Sequence, residues 1–342
     1  MRTAPAEDVP EDSYAESLLA AVIAKRFYLE NASKVDIGQE MGLSRFKVAR
    51  LLDMAVARGI VRIDIAFPTA IDAELSDALA SRYGLRHAIV VTPHADDTGG
   101  PEPYTRLLAP PAARLLTDLL HEDDVLGLAW GRAVTAVSRA FTWLPPCSVV
   151  QLTGVDPQHP ITDESVKAVS LAAALSGGAA HPLYAPLVLP NALTATVLRS
   201  QPTIATALDR LGALTTAVLP VGAWGPGLSA VHDALSAPER RRHAELGVVA
   251  ETASLLFDAK GTLVRTDLAG RVIAVDAEQL RRTPEVIAVA GGREKARAVR
   301  AVLRSGLLTG IVTDAATARA ALSLDSSPAA PSGSVAPVTR HA

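Results

Sequence analysis

The amino-terminal part of the fold is decided by one stretch of sequence, DIGQEMGLSRFKVARLL, residues 36–52. Ser33 followed by Asp36 has the spacing of a capping box at the start of a helix. Gly42 permits the left-handed conformation that ends this helix, and Ser44 can cap the next one. Apolar residues at spacings of three and four predict the buried face of the second helix: Val48, Leu51, Leu52 and Ala55. The stretch therefore predicts two helices joined by a short turn, a helix-turn-helix.

The opposite face of the second helix is basic. Residues 24–62 contain eight Lys and Arg residues and four acids, a local charge of +4 in a chain of net charge -3. Arg and Lys side chains neutralise DNA phosphates, and Arg can pair with guanine through two hydrogen bonds. We predict that these residues face double-stranded DNA: Ser44, Arg45, Phe46, Lys47 and Arg50. Two alternatives stay open, a helical hairpin whose basic face is simply solvated, and a Phe46 that packs inward as core.

Beyond residue 70 the pattern changes, because short β-branched runs alternate with longer Ala- and Leu-rich periodic segments. The runs are HAIVVT (87–92), DVLGLAW (124–130), SVVQLTG (148–154), TAVLPVG (216–222), VIAVAGG (286–292) and GIVTD (310–314). Strands that alternate with helices are typical of a mostly parallel sheet covered on both faces. The predicted fold class is therefore α/β, with an amino-terminal helix-turn-helix domain followed by a doubly wound, mostly parallel α/β domain.

A chain of 342 residues is long enough for two domains. We predict a disordered arm at 1–12, the helix-turn-helix domain at 13–66, the α/β domain at 67–322 and a disordered Ser/Pro/Ala-rich tail at 323–342. The alternating run IVRIDIA, residues 60–66, predicts a strand or wing at the end of the first domain.

The cysteine and histidine content and the absence of targeting segments indicate the cellular compartment and whether a metal or cofactor is bound. A single cysteine, Cys147, cannot form an internal disulfide, and neither a signal peptide nor a membrane-spanning run is evident. We therefore expect a cytoplasmic protein with no membrane partner. The eight histidines lack metal-ligand spacing, and the segment GAWGPG (222–227) lacks the spacing of a dinucleotide fingerprint. We expect neither a metal nor a cofactor.

Five segments, in order along the chain, resemble the SorC-type family of sugar-binding transcription regulators. They are SRFKVARLLDMAVARGIVRIDI (44–65), DDVLGLAWGRAVTAV (123–137), SVVQLTG (148–154), ASLLFDAKG (253–261) and the stretch 286–322. The resemblance implies a DNA-binding regulator of carbohydrate metabolism, with a sensor domain built like sugar-phosphate isomerases and deaminases. It also implies a sugar or sugar-phosphate effector and a homo-oligomer, a dimer or more commonly a tetramer, on repeated DNA half-sites.

Glycines at the ends of predicted strands indicate the candidate effector site. Ligands of parallel sheets bind beyond the carboxyl ends of the strands, where glycine lets backbone N–H groups approach an anion. Gly291 and Gly292 end one predicted strand. A helix is predicted to begin near Arg293 or Glu294, which puts Lys295 in its first turn. In the resembling family, this glycine pair and lysine belong to the effector phosphate site; the alternative is an ordinary strand-to-helix turn with an exposed lysine.

Other strand ends supply further candidates. Gly131, with the backbone of Arg132 and Ala133, can cradle a phosphate at a helix start, although the family usually has a hydroxyl residue where Ala133 stands. Further predicted effector contacts are Gln151, Thr153 and Gly154 at one strand end and Gly222 at another. For Gln151, an internally satisfied side chain remains an alternative. Asp314 can hold a ligand hydroxyl, but a helix cap is the favoured interpretation.

Ala250 and Glu251 occupy the place of the family's usual Gly-Asp pair, and Glu251 completes the predicted effector site. This departure leaves an unphosphorylated polyol or sugar acid open as the effector, ranked below a sugar phosphate. The other functional class considered is a sugar-phosphate isomerase or deaminase with an accessory helical domain. Such an enzyme needs a positioned general base, for which Glu251 and Asp314 are the candidates. Neither comes with a paired acid, so we expect a regulator rather than an enzyme.

Overall fold

The computed structural model describes residues 14–61, 70–93, 103–155 and 164–326. The chain divides into two compact units, one within Met1–Pro68 and the other within Thr69–Ala342. The predicted amino-terminal arm, the predicted strand from residue 62 onward and the predicted domain boundary lie outside the described residues.

Within the described part of the first unit lie three helices, α1 (Tyr14–Tyr28), α2 (Lys34–Met41) and α3 (Arg45–Ala57). α2 begins with the predicted capping box, in which the Ser33 hydroxyl accepts the Asp36 N–H at 3.2 Å. It ends at Gly42, whose φ of 66° is the left-handed conformation that glycine adopts readily. Ser44 then caps α3, because its hydroxyl accepts the Lys47 N–H at 3.2 Å.

An apolar core joins the three helices. Its fully or almost fully buried members are Ala20, Ile23, Ala24, Ile37, Val48, Leu51, Leu52 and Ala55. The predicted buried face of α3 is thereby confirmed, and residues 34–57 form the predicted helix-turn-helix. Since Val48, Leu51, Leu52 and Ala55 of α3 point into this core, the opposite face of the helix is left to solvent.

The second unit contains a large and a small sheet. In chain order its strands are β1 (Ala70–Ile71), β2 (His87–Thr92), β3 (Val125–Leu128), β4 (Ser148–Gln151), β5 (Ala180–His181), β6 (Thr216–Pro220), β7 (Gly222–Ala223), β8 (Val248–Thr252), β9 (Leu255–Asp258), β10 (Glu285–Val289) and β11 (Gly310–Asp314). The large sheet has eight strands in the order β1-β2-β11-β10-β6-β3-β4-β5. Its neighbouring strands are parallel, except that β1 pairs antiparallel with β2.

Helices cover both faces of the large sheet. In chain order, the helices of the second unit within the described residues are α4 (Ala73–Tyr83), α5 (Pro103–Leu119), α6 (Arg132–Ala140), α7 (Glu164–Ser176), α8 (Ala192–Arg199), α9 (Pro202–Arg210), α10 (Ala230–Ala234), α11 (Ala237–Glu245), α12 (Ala277–Arg282), α13 (Ala296–Arg304) and α14 (Ala315–Ser326). Successive β6 residues enter separate cores, Ala217 and Leu219 one and Val218 the other, because side chains alternate along a strand. The first core includes side chains of α4, α12, α13 and α14, and the second those of α5, α6 and α7. The predicted doubly wound, mostly parallel α/β architecture is confirmed.

The last helix runs further than the sequence indicates. α14 packs on the core through Ala315 and Ala318 and continues to Ser326, four residues into the predicted disordered tail. Residues 327–342 of that tail lie outside the described residues. No helix within the described ranges is long and apolar enough to cross a membrane.

The small sheet, in the order β7-β8-β9, is antiparallel and was not predicted. β8 and β9 are joined by a two-residue turn, Ala253 and Ser254, with φ values of 47° and 69°. Two positive φ values are the mark of a type I′ hairpin turn, which usually carries Asn and Gly. This turn uses neither residue, so its backbone is held in the left-handed region by the surrounding structure.

Helices α5 and α11 each carry a local feature that affects stability. α5 carries Pro110 and Pro111 in its interior, and because proline has no N–H, the carbonyls of Arg106 and Leu107 lack their usual helical donor. In α11, the Glu239 carboxylate accepts the Ser236 N–H at 2.8 Å and pairs with the Arg271 guanidinium at 2.7 Å.

Candidate functional site

A cleft of about 1090 Å³ opens at the carboxyl ends of β3, β6 and β10. After β3 the chain turns into α6 on one face of the sheet, and after β10 it turns into α13 on the other face. Because these connections diverge, they leave a crevice above β6, which is where open α/β sheets bind ligands. The cleft is lined by residues from within 104–110, 130–140, 220–233, 251–254 and 289–295, together with Thr153 and Leu187.

The turn after β3 forms one wall of the cleft. Gly131 precedes α6, and a Cβ at this position would lie 2.8 Å from the Cβ and Cγ atoms of Pro220, so the turn can pack against the end of β6 only with glycine here. Arg132 donates to the Gly227 carbonyl at 3.2 Å. Gly131, Arg132 and Ala133 all line the cleft, at the positively polarised end of α6.

The turn after β10 forms the facing wall, and its details differ from the sequence prediction. Residues Arg293–Lys295 form a 3₁₀ turn, and α13 begins only at Ala296, so Lys295 precedes the α-helix instead of lying in its first turn. Gly291 and Lys295 line the cleft. Gly292 does not, because its N–H is directed at the buried Asp314 carboxylate, 2.9 Å away.

Glu251 lies at the base of the cleft on β8. Its Oε1 accepts the Ser254 N–H at 2.8 Å, and its Oε2 accepts the Ser229 hydroxyl at 3.1 Å. Burial raises the pKa of the Glu251 carboxyl above its ordinary value, while these two hydrogen bonds and the charge of Lys295 act against the rise.

Gly222 faces Glu251 across the β7–β8 pair and also lines the cleft. A Cβ at Gly222 would meet the Leu228 carbonyl at 2.9 Å and Glu251 Oε2 at 3.0 Å. The predicted Gly222 and Glu251 therefore belong to one arrangement, in which the missing side chain makes room for the carboxylate.

The end of β4 contributes less than predicted. Gln151 is fully buried and does not line the cleft: its amide donates to the Thr153 carbonyl at 2.7 Å and to Ser165 Oγ at 3.0 Å, and its oxygen accepts the Leu183 N–H at 3.1 Å. Its hydrogen-bonding groups are used inside the protein, which matches the internally satisfied alternative. Gly154 also lies away from the cleft, with its N–H on the Ile273 carbonyl. Thr153 does line the cleft, and its hydroxyl accepts the Trp130 N–H at 3.0 Å.

Asp314 matches the favoured interpretation as a helix cap. Its carboxylate accepts the N–H and the hydroxyl of Thr317 at 2.9 and 2.6 Å, in the first turn of α14. The same carboxylate receives the Gly292 N–H, so it links the turn after β10 to the start of α14.

Several lining residues were missed from the sequence. Among the described residues the cleft is lined by four cationic side chains, Arg106, Arg132, Arg139 and Lys295, and by three acidic ones, Asp233, Glu251 and Glu294. Arg106 and Arg139 lie on α5 and α6, and Ser229 and Asp233 lie around α10. The only sequence signal for the two arginines is their position on helices that follow or precede a strand, which is too common to single them out.

The exposed face of α3 presents the predicted DNA-facing residues. Arg45, Phe46 and Arg50 are exposed, and Phe46 has 71% of its surface in solvent, so the alternative of a core Phe46 is wrong. The Arg45 guanidinium carbon lies 4.8 Å from the centre of the Phe46 ring. Lys47 differs from its neighbours, because its ammonium pairs with Glu16 of α1 at 3.1 Å.

Comparison with known proteins identifies relatives over most of the chain. Residues 68–323 match the family described as "Putative sugar-binding domain". The transcriptional regulator YjhU of Escherichia coli is 28% identical over 299 residues, which cover 85% of this chain and 90% of YjhU. The transcriptional regulator LsrR of Klebsiella pneumoniae is 27% identical over 320 residues, 91% of this chain and 95% of LsrR.

The full-length crystal structure of the sorbitol operon regulator SorC from Klebsiella pneumoniae has a similar fold. It superposes with a TM-score of 0.75 at 23% identity, covering 91% of this chain and 100% of that one. At this identity the likeness concerns the fold, a helix-turn-helix unit combined with an α/β sugar-binding domain.

Proposed function

Because the chain belongs to the sugar-binding domain family matched over residues 68–323, we propose that it is a DNA-binding transcription regulator of carbohydrate metabolism. In this proposal α3 enters the major groove of an operator, and the cleft binds a sugar phosphate or a related sugar or polyol. Effector binding changes the affinity for DNA.

The observation that carries the proposal is the cleft itself. Its volume of about 1090 Å³ suits a small molecule, and two backbone turns, at Gly131 and Gly291, meet there from opposite walls. The lining carries four cationic side chains against three acidic ones, and this excess together with the start of α6 favours an anionic ligand. Ala133 supplies no hydroxyl to that anion, and Lys295, next to the turn at Gly291, is the cation that we assign to it.

The DNA-binding half rests on α3. Its exposed Arg45 and Arg50 are suited to phosphate or guanine contacts, within a segment whose local charge is opposite in sign to that of the whole chain. The relatives YjhU and LsrR are transcriptional regulators. An isomerase or deaminase is disfavoured because both oxygens of Glu251 already accept hydrogen bonds and Asp314 is buried as a cap.

The proposal includes finer features. The helix-turn-helix domain spans residues 13–66 and the effector domain residues 67–322. The protein acts in the cytoplasm as a homo-oligomer, a dimer or tetramer, because two-fold related recognition helices match repeated half-sites. The effector must bind one arrangement of the oligomer more tightly than another, since a ligand shifts an equilibrium only by its differential affinity.

The test begins with a thermal-shift screen of sugars and polyols, each paired with its phosphate ester. We expect the largest stabilisation from a phosphate ester, because of the cationic lining. The best ligand is then titrated into a gel-shift assay with promoter fragments from the genes that adjoin the gene of this protein. The affinity for DNA should change as the ligand saturates its binding site. A tightly bound ligand that leaves DNA affinity unchanged would disprove the switch.

A matched variant separates the two halves of the proposal. Arg45→Ala combined with Arg50→Ala should weaken the operator affinity measured by gel shift about 100-fold but leave the thermal shift intact. Loss of both responses in this variant would show that the two arginines act through folding, contrary to the proposal.

A further inference from the structure

Phe46 occupies a position where an apolar aromatic side chain needs explaining. It lies in the first turn of α3, and 71% of its surface is exposed. The apolar residues that hold α3 to its unit, Val48, Leu51 and Leu52, point away from it into the core. An exposed phenyl ring contributes nothing to this core, so its role lies on the outer face of the helix.

The neighbours of Phe46 define the chemistry of that face. The Arg45 guanidinium carbon lies over the Phe46 ring, 4.8 Å from the ring centroid, in a cation–π contact. A guanidinium is planar and can donate two parallel hydrogen bonds to two acceptors in one plane. Arg50 lies four residues after Phe46, so both occupy one side of the helix. Lys47 turns instead toward Glu16.

The major groove offers such a face few partners. Base edges there present hydrogen-bond donors and acceptors, and the one apolar group among them is the C5 methyl of thymine. Phosphates and sugar oxygens have nothing to gain from a phenyl ring. The first turn of a recognition helix is also the part that reaches base edges.

We propose that Phe46 reads a thymine methyl group, next to a guanine that Arg45 contacts through O6 and N7. The inference rests on the proposed function, because it assumes that α3 lies in the major groove. The operator then carries a thymine beside a guanine in each half-site. Arg50 then holds the helix to the duplex one turn further on.

The experiment uses the full-length chain and an operator obtained by selection from random duplex DNA. Each thymine in turn is replaced by deoxyuridine, which removes the methyl group and keeps base pairing. Binding is measured by fluorescence anisotropy at fixed salt. At one thymine per half-site we expect affinity to fall about fourfold, the effect of losing one buried methyl-sized group. At the adjacent guanine, 7-deazaguanine should weaken binding of the normal protein but not of Arg45→Ala.

Two variants decide the assignment. Phe46→Ala should bind the thymine and deoxyuridine operators equally, and Phe46→Leu should keep part of the discrimination. Leu18→Ala, which shortens another exposed apolar side chain of the same unit, should discriminate as the normal protein does.

The possible outcomes distinguish failure of the Phe46 assignment from failure of the proposed function. The Phe46 assignment is refuted if the unmutated protein binds DNA but no thymine is sensitive to loss of its methyl group. It is also refuted if Phe46→Ala still distinguishes the thymine operator from the deoxyuridine operator. In both cases the proposed DNA-binding function is unaffected. If the selection yields no salt-sensitive DNA binding at all, the proposed function falls and this inference with it.

Discussion

The exposed face of α3 and the cleft are built in opposite ways, one from neighbouring residues of a single helix and the other from segments that are distant in sequence. On α3, Arg45, Phe46 and Arg50 point outward, and their nearest neighbours in sequence provide their setting. At the cleft, the buried Glu251 accepts a hydrogen bond from Ser229, and behind the turn after β10 the buried Asp314 accepts one from Gly292, each donor being distant in sequence. A binding surface on one helix therefore depends on local sequence, whereas a cleft forms only when distant segments of the chain come together.

The largest expected effect belongs to the exposed face. Replacing Arg45 and Arg50 together by Ala should reduce operator affinity about 100-fold, because each arginine contact with a base or phosphate contributes roughly 1–3 kcal/mol. The slope of log K against log salt should also become shallower by roughly two. Titrations at several salt concentrations measure both effects, with Lys25→Ala on α1 as the control. A variant with normal affinity and a collapsed melting temperature would contradict the local character of this surface.

The next largest effect concerns stability and tests the buried side chain of Gln151, whose hydrogen bonds go to segments distant in sequence. Gln151→Ala removes the hydrogen-bond partner of the Leu183 N–H and of the Thr153 carbonyl, and should lower the free energy of unfolding by about 2 kcal/mol. Chemical denaturation measures the change. Gln201→Ala, at an exposed position whose side chain makes no cap, should change stability by less than about 0.5 kcal/mol. A Gln151 variant of normal stability that loses effector binding would move Gln151 into the binding site.

Lys295 is neither fully exposed like Arg45 nor buried like Gln151. It lines the cleft, where its charge can act on a bound ligand. Lys295→Ala should weaken the best phosphorylated ligand of the thermal-shift screen about tenfold, because one charge-assisted contact is lost. Binding of the matching unphosphorylated sugar should change little. Calorimetric titration compares the two, and Lys260→Ala in an exposed loop is the control. Equal losses for both ligands would place Lys295 against the sugar ring instead of the phosphate.

The smallest expected effect concerns the Glu239 carboxylate, which is partly exposed at the surface of the second unit. Hydrogen bonds from Ser236 and the Arg271 guanidinium lower the Glu239 pKa to about 2. Since the folded pKa lies below the ordinary value, this carboxylate stabilises the fold above about pH 4.5 and loses its contribution as the pH falls toward 2.

Glu239→Gln should therefore cost about 1 kcal/mol at pH 7, a value reduced by solvent screening, and the difference from the normal protein should disappear near pH 2. Urea denaturation across this range measures it. Glu278→Gln, at an exposed ion pair with Arg282, should show no such pH-dependent difference. A constant difference at all pH values would assign the effect to packing.

Features that depend on neighbouring residues could be predicted from the sequence. The capping residues Ser33 and Ser44 and the apolar spacing of α3 act within a few residues, and the structure has them as predicted. The runs that became β2, β3, β4, β6, β10 and β11 are long enough to show their character. The glycines at Gly131 and Gly291 could be placed because ligands of parallel sheets share one edge.

Features that depend on distant partners escaped prediction. β7 has two residues, too few to show alternation, and its partner β8 begins 25 residues after it ends. Gln151 has the same appearance in sequence whether it faces a ligand or the Leu183 N–H. The turn at Ala253 and Ser254 adopts positive φ without glycine, because the fold imposes a conformation that neither residue prefers.

The paired prolines of α5 have a consequence for how the cleft can respond to occupancy. Arg106, Ala109 and Pro110 belong to its lining, and Pro110 and Pro111 leave this part of α5 two backbone hydrogen bonds short. Local unfolding of the turns before Pro110 therefore breaks fewer hydrogen bonds than unfolding an equal length of uninterrupted helix. Amide hydrogen exchange should be fast in this segment and slow in the remainder of α5. The wall of the cleft that carries Arg106 is therefore the part that a bound ligand can order at the lowest cost in free energy.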